Sequence, residues 1–576
     1  MKNRFKTIKI LFIGMVFLFL PIVAKADYGG QTNRFFIDSS YDLNGRQELD
    51  ATLLRITSKV YFYIDDAWWN SLGQSETSML KLAIQKLGEE FDGKIYPELT
   101  ATFGSEWKPG IDGDEKITVL IHPMVSQAGG YFNSGDEYST ALNPKSNKRE
   151  MVYFNSQYLN SDLAKSFLAH EFVHLITFNQ KNRLRGVQEE IWLNEARAEY
   201  APTLLGYDSV GTDSNLNRRI RDFLRDPSVS FVDWENKRET YGALNLFTQY
   251  LVDHYGAGIL INSLKSSFTG VNSLNFALLN KGFYQDFDQI FKDWSIAVLI
   301  NDCSIGDKYC YLGSSLKNFR LIPSINFLPL TGESRLSLSE TTKKWSGNWY
   351  KFIGGWGNLK IEFVGSSGVN FEVPYVSQDL AGNQSLGFFQ LDDYQKGEVY
   401  ISDFGRNITS VVIIPLIQDD NVKNIKTLYP FFWQASTEES QADQGSSGQS
   451  GSQNIQDVLD KISVLEKQLA SLRVELQILL SAEMDSVKSC QSLNQNLSFG
   501  IRNNSVSCLQ EFLKSQGDDI YPEKLVTGFF GNLTQQAIIR FQEKYASEIL
   551  TPLGLEKGTG FVGPSTRVKI NSMLQK

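Results

Sequence analysis

The sequence predicts a multidomain α+β chain, and three observations carry that expectation. Strand-like segments between 58 and 159 lead into a helical stretch at 166–200. Near residue 314 the texture changes to short β runs broken by Gly and Asn. From 434 to 454, QASTEESQADQGSSGQSGSQN holds no large apolar residue, and apolar positions stepping by three and four follow it. At 576 residues there is room for several domains, and 42% hydrophobic content is ample for packed cores. The net charge of −9 argues against a nucleic-acid partner.

Residues 1–26 carry Lys2, Arg4, Lys6 and Lys9, then an apolar run from Ile10 to Val23, then Ala24-Lys25-Ala26. That run is 14 residues (10 through 23), short for a membrane span, and A-x-A is a cleavage signature. The segment reads as a secretory signal peptide with Asp27 as the mature start; an uncleaved anchor is the competing reading. Either way the bulk of the chain is expected to be exported.

Residues 27–313 form the first expected domain. SKVYFYIDD (58–66) is a strand by alternation and aromatic content, KITVLIHPM (116–124) a second and REMVYFNSQYL (149–159) a third. Residues 75–96 open on a Ser cap and space Met79, Leu82, Ile84 and Leu87 as a helix. AGGYFNS (128–134) is a candidate edge strand, since Gly129 and Gly130 allow close backbone approach; a plain glycine turn competes with it. IDGDEK (111–116) lacks the full calcium-loop pattern and reads as an acidic turn, and His122 as a structural histidine.

HEFVH places His170 and His174 at i and i+4, one turn apart on a helix face, so both imidazoles can reach one metal ion. Glu171 can act as general base on a metal-bound water. The chain has four histidines, and two form this pair. A buried helix is a costly place for them without a partner. A catalytic zinc site needs a third protein ligand. Glu195 follows His174 by 21 residues (195 − 174) in WLNEARAEY, and Glu199 lies one turn further. Glu195 is read as the ligand, with Glu199 accepting the N–H of His170; spacing alone leaves the reverse assignment open. SNLNRRIRDFLRD (214–226) and RETYGALNLFTQYLVDHYG (238–256) are expected helices, with Tyr241 at the head of the second and His254 near its end.

HEFVH followed by WLNEARAEY resembles the gluzincin metallopeptidases, and within them the hyicolysin-type secreted bacterial peptidases, over about residues 34–300. The resemblance implies a thermolysin-like α/β lobe and peptide-bond hydrolysis. It implies Zn²⁺ on His170, His174 and Glu195, and Glu171 as base. It further implies a sheet before the metal helix whose edge strand pairs with extended substrate, and an oxyanion donor after the NE motif. Tyr241 is the best placed donor, with His254 as rival.

Four cysteines form two local pairs, Cys303 with Cys310 and Cys490 with Cys508, read as short-loop disulfides. Residues 314–433 alternate short strands and turns, including NWYKFIGG, GNLKIEFVG and SVVIIPLIQ, and predict an antiparallel β-sandwich. Residues 434–454 are a flexible linker. Within 455–484, Ile455, Val458, Ile462, Leu465, Leu469, Leu472, Leu476 and Leu479 make an a/d seam. Coiled-coil self-association into a homo-oligomer is the functional reading, a docked spacer helix the alternative.

Residues 485–576 resemble the peptidoglycan-binding repeat of bacterial wall hydrolases. Its marks are Leu509-Gln510, Thr527-Gly528, Phe530-Gly531, Thr534, Phe541-Gln542, Gly560, Gly563 and Thr566-Arg567. That family implies a small three-helix bundle and a peptidoglycan or cell-wall ligand, and Thr534 is expected to N-cap the middle helix. The whole chain therefore reads as a secreted zinc endopeptidase acting on protein or peptide and directed to the wall by its tail. Two other readings remain: a catalytically inactive wall-associated binding protein on a peptidase scaffold, and an enzyme cutting wall cross-bridges.

Overall fold

The structure is a computed structural model. It describes residues 26–209, 214–329 and 334–438 (save 420 and 423), and 492–574 save 494–495, 499–503, 523, 525, 527, 529, 554 and 556. The segments expected to be the signal peptide (before Ala26), the linker (beyond 438) and the coiled coil (455–484) lie outside these residues. The fold is mixed α and β. The chain divides into two compact units, one of Met1–Glu189, Leu204–Tyr207 and Leu264–Ser267, the other of Glu190–Thr203, Asp208–Ser263 and Phe268–Lys576. No described helix is long and apolar enough to cross a membrane.

The first unit is built on six strands: β1 (Thr32–Phe36), β2 (Glu48–Ile56), β3 (Val60–Asp65), β4 (Ile117–His122), β5 (Gly130–Phe132) and β6 (Met151–Asn155). Their order is β1-β2-β3-β4-β6-β5, with β3, β4 and β6 parallel and β5 antiparallel at the edge. The edge strand expected at 128–134 is therefore present. Every residue of β3, β4 and β6 is buried, which explains their continuous apolar runs. The alternation read into 58–66 is thus not a sign of one wet face.

Helices α1 (Asp66–Trp69), α2 (Gln74–Glu90), α3 (Tyr96–Phe103) and α4 (Ala164–Thr177) complete the unit. Two expectations for α2 need correcting. Its N-cap is Gly73, whose N–H donates to Glu76 Oε2 at 2.9 Å, so Ser75 does not cap it. Its inward face is Leu80, Ile84 and Leu87, continued by Phe91, while Met79 and Leu82 are exposed. Where the stripe continues past α2, the Phe91 ring meets Phe172 of α4 edge-on, centroids 5.1 Å apart.

His122 is fully buried, with Nδ1 3.2 Å from Asp42 Oδ2, so it is structural as expected. Asp42 also accepts the Arg46 guanidinium at 2.8 Å and the backbone N–H groups of Asn44 and Arg46 at 3.0 Å, and Arg46 reaches Asp65 at 2.7 Å. The 111–116 segment is the acidic turn expected: Asp112 accepts the Asp114 N–H, and Asp114 accepts the Tyr61 hydroxyl.

The second unit opens with α5 (Ile191–Leu204), α6 (Asn215–Arg225), α7 (Arg238–Tyr255), α8 (Gly258–Leu264), α9 (Gly270–Asn280) and α10 (Phe287–Ile300). Gly242 lets α6 and α7 touch through their backbones, since a Cβ there would lie 2.4 Å from the Phe223 nitrogen. Cys303 and Cys310 form the expected disulfide. His254 Nε2 sits 2.9 Å from the Cys310 carbonyl, so this histidine is tied to the disulfide loop. Cys508 is also disulfide-bonded.

Strands β7 (Ser324–Leu328) to β17 (Tyr429–Glu438) follow, nine in one sheet and β11 (Phe371–Glu372) with β16 (Leu416–Ile417) in a second. The antiparallel expectation has two exceptions, β7 beside β9 (Tyr350–Gly354) and a single parallel bridge from β14 (Lys396–Phe404) to β15 (Ile408–Ile413). β17 runs through Glu438, so the first residues assigned to the linker are strand. Ala435 and Thr437 point inward, and Thr437 shares a hydroxyl hydrogen bond with Ser334. Their small side chains hid the period. These strands seat on α10: Trp349 Nε1 donates to the Ser295 carbonyl at 2.9 Å and Lys344 pairs with Asp288 at 2.7 Å.

In the C-terminal part, helices Asn504–Ser515, Asn532–Lys544 and Pro564–Leu574 share an apolar core including Leu509, Phe512, Phe541 and Ile570. Gln510 accepts from Gly528 N–H at 2.8 Å and donates to Thr534 at 2.9 Å. Gln542 repeats this from the middle helix, accepting from Gly560 at 3.0 Å and donating to Thr566 at 3.0 Å. The N-cap of the middle helix is Gly531, so Thr534 is a buried partner of Gln510 and not a cap.

Burial alone would raise the Asp42 carboxyl, but hydrogen bonds from His122 and Arg46 outweigh it and hold it well below the usual carboxylate range. A group depressed in this way contributes stability above its unfolded value, lost as pH falls toward its own lower one. Asp42→Ala should therefore lower thermal stability at neutral pH by about 3 kcal/mol. The gap from wild type should shrink on acidification below about pH 4. Thermal unfolding as a function of pH measures both.

Candidate metal centre

Helix α4 is buried on nearly every side. In such a helix a polar side chain must meet another polar group or a ligand. His170 and His174, one turn apart, aim their Nε2 atoms at each other, 3.2 Å apart, with ring planes crossed at 80°. Two nitrogens bound tetrahedrally at zinc-like bond lengths would lie about 3.3 Å apart. His170, His174 and Glu195 each offer one ligand atom, and all three lie within 4.8 Å of one another. Two imidazoles and a carboxylate at that spacing fit a divalent metal ion with a position left open.

Glu171 is 5% exposed and lies beside the edge strand. A Cβ on Gly130 would fall 2.9 Å from Glu171 Cγ and 2.5 Å from the Tyr153 carbonyl oxygen, and one on Gly129 would fall 2.6 Å from the Phe167 ring. Strand β5 therefore needs glycine at its first residue and at the residue before it to lie against α4. Phe132 of the same strand packs near His174, ring centroids 6.4 Å apart.

Helix α5 carries Glu195 and, one turn on, Glu199. Glu199 is 1% exposed. Arg219 grips it through Nε at 2.9 Å and its terminal nitrogen at 2.5 Å. Asn215 and Asn245 donate to it at 3.0 and 3.2 Å. Burial alone would lower the Arg219 pKa, but Glu199 and Asp222 hold it above its ordinary value. The same guanidinium lies 4.5 Å from the Tyr241 ring centroid, and Trp234 closes on that ring edge-on at 4.8 Å. Tyr241 is in the first turn of α7.

Sequence reasoning named His170, Glu171, His174, Glu195, Glu199 and Tyr241 but missed Arg219, Asn215 and Asn245. The available signals were an arginine and two asparagines on otherwise inward-facing helix positions. A polar residue on an apolar stripe marks a buried partner without saying whose.

No protein-family model matches the chain. It is 30% identical over 192 residues to a neutral metalloprotease of Staphylococcus hyicus, ShpI, an alignment covering 29% of this chain and 41% of that protein. The chain thus spans about two-fifths of the length of the curated relative it matches. Among solved structures, the pre-peptidase C-terminal domain of a collagenase from Bacillus anthracis aligns at 10% identity and a TM-score of 0.15, over 20% of this chain and 96% of that one. A family GH115 4-O-methyl-α-glucuronidase aligns at 8% identity and a TM-score of 0.13, over 56% of this chain and 51% of that one. At these scores neither likeness bears on the fold.

His170→Ala and His174→Ala should each abolish retention of the one equivalent of divalent metal expected per chain, measured by elemental analysis after dialysis. Arg219→Met should leave Glu199 buried without its cation and cost about 3–5 kcal/mol in thermal unfolding.

Proposed function

We propose that this chain is a secreted zinc-dependent endopeptidase. The observation that carries the reading is the joint placement of the His170, His174 and Glu195 ligand atoms with Glu171 beside the glycine edge strand. Similarity to a neutral metalloprotease over the matched region supports it. Two neutral imidazoles and a carboxylate suit Zn²⁺. When bound, the ion lowers the pKa of its water and polarises the scissile carbonyl.

The chain's own residues supply the rest. Glu171 takes the proton from the attacking water and passes it to the leaving amine as the C–N bond breaks. Its carboxylate stands against β5, where an extended peptide can add as a further strand and bring its carbonyl to the base. Gly130 keeps that approach open. Tyr241 is the proposed donor to the developing oxyanion. Glu199 is proposed to accept the ring N–H of His170 and set its tautomer, with Arg219, Asn215 and Asn245 holding the carboxylate in place.

The basic and apolar N-terminal segment supports export, and the leucine seam at 455–484 supports self-association. The C-terminal repeat supports direction to the cell wall through a peptidoglycan ligand. General protein cleavage is preferred to cross-bridge cleavage because an open sheet edge accepts any extended backbone.

Glu171→Gln should retain one zinc per chain and lose casein hydrolysis by 10³-fold or more, on the order of what a positioned base contributes. Full activity in that variant would reject Glu171 as base, and a wild type without zinc would reject the reading itself. Gly130→Val should lower kcat/KM on casein while zinc content stays at one, because the side chain would push β5 away from Glu171. Zinc analysis beside initial rates separates the two effects.

A further inference from the structure

The connection from β5 to β6 holds a second group of charges that the proposed hydrolysis does not use. It begins with a short turn, Ser134–Glu137, and ends at Glu150, just before β6. Glu137 is 4% exposed and Glu150 2% exposed. The two carboxyl groups are in contact with each other. Apart from that contact, neither oxygen of Glu137 nor Oε2 of Glu150 has a hydrogen-bond partner among the described residues. Glu150 Oε1 accepts the Ile111 N–H at 2.8 Å. The backbone at Gly110 closes over the pair, in a left-handed conformation with φ of +91°, and a Cβ there would fall 1.8 Å from Glu150 Oε2.

Two buried carboxyl groups in contact repel each other once both are ionised, unless a positive species, a proton or a metal cation, lies between them. The charged groups facing the pair do not supply it. Asp136 and Asp112 add negative charge, and Arg183 is a cation that faces both glutamates. Arg183 lies over the Trp107 ring at 3.1 Å, and no ion pair joins it to either carboxyl among the described residues. Asp136 is engaged by the Tyr153 hydroxyl at 2.7 Å and the Asn147 N–H at 2.8 Å, so it adds field and not a ligand.

We propose that Glu137 and Glu150 are the carboxylate ligands of one calcium-type cation that staples the β5–β6 connection to the loop around Gly110. The donors are hard oxygens, which excludes the soft metals. An irregular surround favours Ca²⁺, which accepts irregular oxygen shells and completes its six to eight ligands with backbone carbonyls and water, over Mg²⁺, which keeps its waters in octahedral order. The site lies outside the His170–His174–Glu195 group. Its consequence reaches that group, because the stapled connection is the one that carries edge strand β5 against Glu171.

The test uses full-length Glu171→Gln protein, so self-cleavage cannot interfere and the outcome does not depend on catalysis. With zinc held constant and buffer freed of calcium, about 1 mM CaCl₂ should raise the melting temperature by about 3 °C or more. Equilibrium dialysis should show one Ca²⁺ per chain. Adding Glu137→Gln should remove both the bound calcium and the shift. Calcium should also slow cleavage of the exposed Tyr138–Leu142 stretch by an added protease, a readout that needs no second variant. Equal calcium binding with and without Glu137→Gln would overturn the proposal. So would a Glu137→Gln protein that melts higher than its parent in calcium-free buffer while calcium shifts neither, since the pair would then share a proton.

Discussion

Burial of the helix Ala164–Thr177 is the constraint on which the rest depends. A helix covered on nearly all sides cannot hold two imidazoles and a carboxylate unless something answers them. The i, i+4 geometry turns that cost into convergence, with His170 and His174 facing nitrogen to nitrogen at 3.2 Å. The sheet beneath is buried on both faces along β3, β4 and β6, which makes a rigid floor. Gly130 of β5 and Gly129 just before it then let the sheet's edge approach the same helix without a side chain in between.

The second unit answers a related problem for α5. Glu199 is as buried as the core leucines; Arg219 of α6 neutralises it, and Asn215 of α6 and Asn245 of α7 donate hydrogen bonds to it. Arg219 does two jobs there, holding Glu199 and underlying the ring of Tyr241. That places a candidate ligand helix and a candidate oxyanion donor on one framework. The β-rich part is no loose appendage either. Trp349, Lys344 and Trp345 fix it to α10 through hydrogen bonds and an ion pair in buried surroundings. The domain boundary read near 314 marks a change of texture, while the packing runs across it.

Much of this was legible in the chain, for local reasons. The His pair, Glu171 and the helices at 215–225 and 238–255 follow from spacing over one or a few turns. The edge strand followed from two glycines. The errors have local causes as well. In α2, two overlapping apolar stripes compete, and the packing buries the one through Leu80, Ile84 and Leu87. In β17, Ala435 and Thr437 are too small or too polar to show a period of two, though both are buried. Thr534 has the residue type of a cap but stands where Gln510 needs an acceptor.

What the sequence by itself determined is whatever repeats within a helical turn or a strand's alternation: the spacing of His170, Glu171 and His174 and the succession of α/β, β-rich and helical segments. Backbone geometry makes those relations short-range, so spacing alone reveals them. What only the tertiary structure decided are the partnerships between distant positions: Arg219 with Glu199, Gly130 with Glu171, Asp42 with His122, Glu137 with Glu150. Each pairs residues whose separation along the chain carries no period. Only the packing of whole elements, driven by apolar burial, brings them together.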